Sequence, residues 1–262
     1  MYPVRVLTLL ILCFMLAGHV VPLAAEGQPD IVGLSLGITL SEAEQKIKAA
    51  DPAFEIKALK DKSGTVCGYE ACRTDKKSMT MTGPRLEEQI IVLAGKNGLV
   101  NTVARSQQQP ADSGLLPETL DAALREKYGE PSLQRVQKWD RIMAWAHDSN
   151  GNPIKDISPY LARPSDKPQQ PSSWGSVTLS RLTEAHMLAP KKLPQDGGTL
   201  ILARFGLKSP GGSPDATMRV TAFSVSMFDM AALYADTVAD KEDQTRRQRE
   251  QYEKDKANKP TL

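Results

Sequence analysis

Leu40, Ala43, Ile47 and Ala50 recur at helical spacing within GITLSEAEQKIKAADP, and that period predicts a helix with both ends marked. Thr39 and Glu42 form a Thr-x-x-Glu capping box, in which the hydroxyl and the carboxylate each satisfy a backbone N–H of the first turn. Asp51-Pro52 ends the helix, because the residue before a proline is pushed out of the helical region. FEIKAL then reads as a strand and SMTMT as another. LEEQIIVLAG and LVNTVARSQQQ flank Lys96-Asn97-Gly98, an Asn-Gly step suited to a primed hairpin turn. The expectation is one helix followed by an antiparallel meander.

A similar pattern then begins again. LPETLDAALREKYGEP places Leu120, Ala123, Leu124 and Tyr128 on one face, with Pro117 suited to a first helical turn. Gly129 sits at the position of a left-handed cap, and Pro131 lies beyond it. Thr39-Leu40 and Thr119-Leu120 are 80 residues apart, Pro52 and Pro131 79 apart. This weak self-similarity suggests two copies of a helix-plus-sheet unit. SLQRVQKW, RIMAWAHD, WGSVTLSRL, TLILARFG and TMRVTAFSVSMF are the strands expected of the second copy. The last of these carries apolar residues on both sides, which suits a central place. Residues 151–173 hold five prolines and no period, so they read as a long surface loop. From Asp229 the pattern turns helical, and past Asp240 it is charged on every face, as in a solvated terminal helix.

The fold class expected is therefore α+β, two helix-plus-antiparallel-sheet units with a charged C-terminal helix. The units span residues 26–108 and 112–228, and the helical tail spans 229–262. Residues 1–25 read as a cleaved secretory signal peptide: Arg5, an apolar run from Val6 to Leu16, and Leu23-Ala24-Ala25 before the cut. Cys13 lies deep in that run behind Leu10-Ile11-Leu12, which is not the setting of a lipid-modified cysteine. No later stretch reaches the ~18 apolar residues of a membrane span. Cleavage removes Arg5 alone among the charges, leaving 32 basic residues against 31 acidic. That balance offers no basic footprint for nucleic acid. A periplasmic or secreted protein is expected.

After cleavage two cysteines remain, Cys67 and Cys72 in VCGYEAC. In an oxidising compartment such a pair favours a disulfide, with Gly68 suited to a tight hairpin tip and about 2 kcal/mol gained for so short a loop. A redox motif would have two intervening residues rather than four. A zinc site would need two further ligands, and only His147 and His186 remain. No cofactor is expected: there is no Gly-Lys-Ser/Thr step, and neither glycine pattern follows a full strand. Trp139, Trp145 and Trp174 lie in or beside strands of the second unit. Core positions suit them best, and any that face solvent become candidate partner-binding anchors.

GLSLG, residues 33–37, has the Gly-x-Ser-x-Gly form of a serine-hydrolase elbow, but an elbow serine caps a sheet strand that must already lie upstream. Only Ile31 and Val32 precede it as strand. The Gly-Asp-Ser-Leu hydrolase signature fails too, at Leu34, at Thr183 before His186 and at Ala144 before His147. A bend before a capped helix accounts for more of the stretch. VGLSLGITLSEAEQKI resembles the Gly-x-x-x-Gly-Met-Thr opening of the SmpA/OmlA (BamE-like) proteins of the bacterial envelope, with Ile38 at the usual Met. The resemblance covers residues 32–52. It implies helices packed on a short antiparallel sheet, a fold shared with the beta-lactamase inhibitor proteins, and a non-enzymatic, protein-binding role. The functional expectation is an exported envelope protein that binds another envelope or secreted protein. The alternatives are an inhibitor of a secreted or periplasmic enzyme and a small-ligand binder with an apolar cleft between the two units. A hydrolase acting through Ser35 is disfavoured.

Overall fold

The computed structural model describes residues 29–61, 63–80, 83–109, 114–136, 139–157, 195–208 and 218–257. The leader, the expected strand WGSVTLSRL, Trp174, His186 and most of the proline-rich loop lie outside them. The chain starts as a hairpin of two short strands, β1 (Asp30–Ile31) and β2 (Leu34–Ser35). Val32 and Gly33 turn it, both at positive φ (55° and 74°), and the Asp30 carboxylate accepts from Gly33 N at 2.8 Å.

Helix α1 (Leu40–Ala50) follows with the expected box in place. Glu42 N donates to Thr39 Oγ1 at 3.2 Å, and Thr39 N donates to Glu42 Oε2 at 2.9 Å. Strands β3 (Glu55–Lys60), β4 (Val66–Thr80), β5 (Gly83–Ala94) and β6 (Val100–Gln108) then run as a meander. The β5–β6 turn is at Lys96-Asn97-Gly98, with Gly98 at φ 76°. Helix α2 (Pro117–Tyr128) opens on its proline and closes at Gly129, φ 79°. Strands β7 (Leu133–Val136), β8 (Asp140–Asp148), β9 (Gly197–Lys208) and β10 (Arg219–Asp229) follow, and α3 (Met230–Ala257) ends the described chain.

Eight strands form one antiparallel sheet in the order β3-β4-β5-β6-β10-β9-β8-β7. The last strand of each four-strand run meets the other at the middle, with Ser224 opposite Ser106 and Val225 opposite Arg105. Period-2 alternation then sorts the side chains onto two faces. On the first, Ile90, Val92, Val103, Ile201, Phe205 and Met227 are buried beneath Ala43 and Ile47 of α1 and Leu120 and Leu124 of α2. On the second, Ile91, Leu93, Ala104, Leu200 and Leu202 pack under Met230 and Leu233 of α3 and under Ile157. Burying both faces in this way is the main source of stability, at roughly 25 cal/mol per Å² of apolar surface.

One expectation is overturned here. VCGYEAC is not a hairpin tip around a disulfide but the first half of strand β4, which runs on to include SMT. The turn lies earlier, where Asp61 Oδ1 accepts from the backbone N–H of Ser63 and Thr65. Cys67 and Cys72 are not bridged. Five residues of strand at ~3.3 Å each hold them roughly 16 Å apart, and a disulfide needs α-carbons within about 7 Å.

Candidate functional site

The second face of the sheet is not uniform. Its lower half is the apolar bed of α3. Two residues further along each central strand, the alternation that delivers Ile91, Ala104, Ser226 and Leu202 delivers instead Gln89, Ser106, Ser224 and Arg204. These four, with Cys72, stand directly opposite one another across five strands: Cys72 against Gln89, Gln89 against Ser106, Ser106 against Ser224, Ser224 against Arg204. The row is the floor of a cleft of about 530 Å³ that extends to Glu70 on one side and Asp140 on the other. That size falls in the range of small-ligand sites.

The depth of the cleft comes from small residues at its centre. Ser106 and Ser224 are flanked by Ala222 and Gly206, which also line it. Its ends are charged and held in place. Glu70, only 2% exposed, accepts from Gln89 Nε2 at 2.6 Å. Arg204 Nη2 donates to Asp140 Oδ2 at 3.0 Å. Leu86 and Phe223 supply the apolar part of the rim. The arrangement offers hydroxyl and amide hydrogen bonding between an acid at one end and a guanidinium at the other. Among the described lining residues no histidine stands beside Cys72 or either serine to act as a base. Among the described residues no group of three or more His, Cys, Asp or Glu gathers in a way that could hold a metal ion.

Cys67 and Cys72 thus occupy different places. Cys72 lines the cleft. Cys67 packs beside the α3 bed and its Sγ lies 3.5 Å from the Leu59 carbonyl oxygen. Burial, with the Asp61 charge adding, pushes its thiol pKa up.

Of the tryptophans, Trp145 cannot be a partner anchor: it is 1% exposed in the first-face core. Its ring lies 5.4 Å from that of Tyr128, and its Nε1 donates to Gly129 O at 2.8 Å. Trp139 differs. It is 37% exposed at the start of β8, near Val136, 64% exposed, at the end of edge strand β7. Ser35 takes no elbow. It sits in two-residue β2, paired through its backbone with Asp30 of the hairpin that Gly33 turns.

The sequence reading missed Glu70, Gln89, Ser106, Asp140, Arg204 and Ser224 as a group. The available signal was a change of character within single strands. β6 passes from VNTVA to RSQQ, and β10 places Ser224 and Ser226 between apolar neighbours. What register brings those polar ends together is not written in either strand alone.

Among the described residues no helix is long and apolar enough to cross a membrane. No protein-family model, curated protein or solved structure matches the chain.

Proposed function

We propose that the chain is an exported protein of the bacterial envelope that works by binding another protein and performs no chemistry of its own. The apolar leader and the likeness of residues 32–52 to the SmpA/OmlA opening support this reading. So does the order, among the described residues, of a helix followed by four strands, which occurs twice.

The observation that carries it is the pair Val136 and Trp139 at the β7 end of the sheet, two exposed large apolar side chains three residues apart, at 64% and 37%. A tryptophan presented at a sheet edge on fixed backbone is a strong anchor for a partner, because it loses little side-chain entropy on burial. The Trp139 carbonyl accepts from Leu207 N at 2.9 Å, which fixes that backbone.

The test is capture from a native envelope fraction with the mature chain, the Trp139→Ala variant and an Arg246→Ala control on the exposed part of α3. One protein retained by wild type and control and lost with W139A supports the reading. Equal capture by all three moves the contact elsewhere, and no specific capture by any of them removes the protein-binding reading.

A further inference from the structure

The polar row of the second face ends in opposite charges, and that limits what can lie along it. The geometry points to a binding site for a short free peptide of about five residues, its ammonium end at Glu70 and its carboxylate end at Arg204. This site is separate from the β7 edge and does not depend on it.

Three features select that class. The first is length. Strands β4 and β9 are four spacings apart, roughly 19 Å at ~4.8 Å per strand, which an extended peptide covers in five or six residues at ~3.4 Å each. The second is the middle of the cleft. Gln89, Ser106 and Ser224 present donors and acceptors on short side chains, and such groups match the alternating N–H and C=O of a peptide backbone. The third is charge. Two acids and one guanidinium line the cleft, a poor match for nucleotides or other polyanions. A polyamine would lack an anionic end for Arg204. A guanidinium carries five N–H donors, and Asp140 here engages one of them while fixing the plane of the group. Leu86 and Phe223 at the rim would accept an apolar side chain of the ligand.

Cys72 supplies a native reporter, since it lines the cleft while Cys67 lies outside it, packed against the apolar cluster of the second face. The probe is a pool of synthetic alanine-rich pentapeptides, used free, N-acetylated or C-amidated. Affinity for the full mature chain is read by calorimetry, and N-ethylmaleimide labelling of each cysteine by peptide mapping. The free pool is expected to bind and to slow labelling of Cys72 several-fold while leaving Cys67 unchanged. Capping either end is expected to weaken binding about tenfold or more, as for loss of a hydrogen bond to a charged group. Arg204→Met should erase the effect of amidation and keep that of acetylation. Absence of binding by the free pool, affinity indifferent to capping, or Cys72 labelled equally with and without peptide would each overturn the assignment. Should R204M fail to fold, the capping series on the unaltered chain still decides.

Discussion

Gly68 of β4 lies so close to Val92 of β5 that a β-carbon at residue 68 would sit 2.2 Å from the Val92 carbonyl oxygen. The obstacle is backbone of a strand paired on both sides and cannot swing aside. Gly68→Ala is therefore expected to cost at least ~2 kcal/mol, by forcing the two strands apart. Gly206 is the control, because the nearest atoms a β-carbon there would meet are 3.7 Å away on Ala222. Gly206→Ala should change stability by less than ~0.5 kcal/mol. Urea denaturation at unchanged slope reads both.

That contact also explains where the sequence misleads. In VCGYEAC the glycine looks like a turn residue, and turn chemistry together with two cysteines suggests a stapled hairpin. The glycine is there for a different reason, close approach of a neighbouring strand, and only the fold shows which reason applies. Signals that act within a few residues fare better. The Thr39–Glu42 box and Pro117 in the first helical turn are found as expected. So are most strands, because alternation is local. Gly129 caps the second helix at positive φ but with ψ −164°, outside the left-handed region. The β5–β6 turn falls where expected, though only Gly98 and not Asn97 is at positive φ, so it is not of the primed type. The cleft was not legible, because Gln89 and Ser106 meet Ser224 and Arg204 only through the pairing of β6 with β10, whose paired residues are 114 or more apart. For Trp139 and Trp145 the limit is similar. Six residues apart in one stretch, they share a side by alternation, but Trp145 lies inside β8 in the first-face core and Trp139 lies just before the strand begins.

The two cysteines give a second prediction. Alkylation without reductant should modify both and yield no species lacking two adducts. Cys72 should react sooner, since burial raises the Cys67 pKa and depletes its thiolate, which is the reactive form. A fully protected pair that becomes reactive only after reduction would contradict the straight β4 strand.

Acid should weaken the fold through specific carboxylates, and Asp61 allows the sign to be checked. The Ser63 hydroxyl above all, with the N–H groups of Thr65, Ser63 and Gly64, holds its pKa below the ordinary 3.8. A carboxyl lowered in the folded state adds stability above its unfolded pKa, and that contribution is lost as pH falls through the folded value. Asp51 and Asp148 are lowered in the same way, the first by the Ala53 N–H and then Arg73, the second by Asn152. Asp61→Asn should therefore be less stable than wild type at pH 7, with the gap closing below about pH 4. Melting temperatures across that range measure it, and a gap that stays constant would remove Asp61 from the acid limb.

Helix α3 should divide energetically near Asp243. Leu233 is buried against the sheet, whereas every residue from Gln244 to Lys256 is exposed. A stop after Arg247 keeps the Lys96 contacts to Asp240 and Asp243, at 2.9 and 3.3 Å. It should alter stability by under ~0.5 kcal/mol, while Leu233→Ala should cost ~2–4 kcal/mol. A large loss on truncation would mean that the exposed turns carry weight in the folded chain.

Asp236 anchors the same helix and titrates in the opposite direction to Asp61. Its carboxylate accepts from Lys96 N at 3.2 Å and from Asn101 Nδ2 at 3.1 Å. Burial nevertheless raises its pKa, and the Asp240 charge adds to the rise. A raised carboxyl contributes stability below its unfolded pKa, and that contribution is lost as pH climbs through the folded value. Near neutral pH the ionised form is therefore a cost. Asn101 Oδ1 is buried without a hydrogen-bond partner among the described residues. Asp236→Asn removes the charge and keeps a carbonyl for Lys96 N; with the Asn101 amide turned over, its new NH2 donates to Asn101 Oδ1 in place of the bond Asn101 now donates. The variant should be more stable than wild type at pH 7, and its advantage should shrink as pH falls through the raised Asp236 pKa. An advantage that grew on acidification would show that Lys96 outweighs burial at this carboxylate.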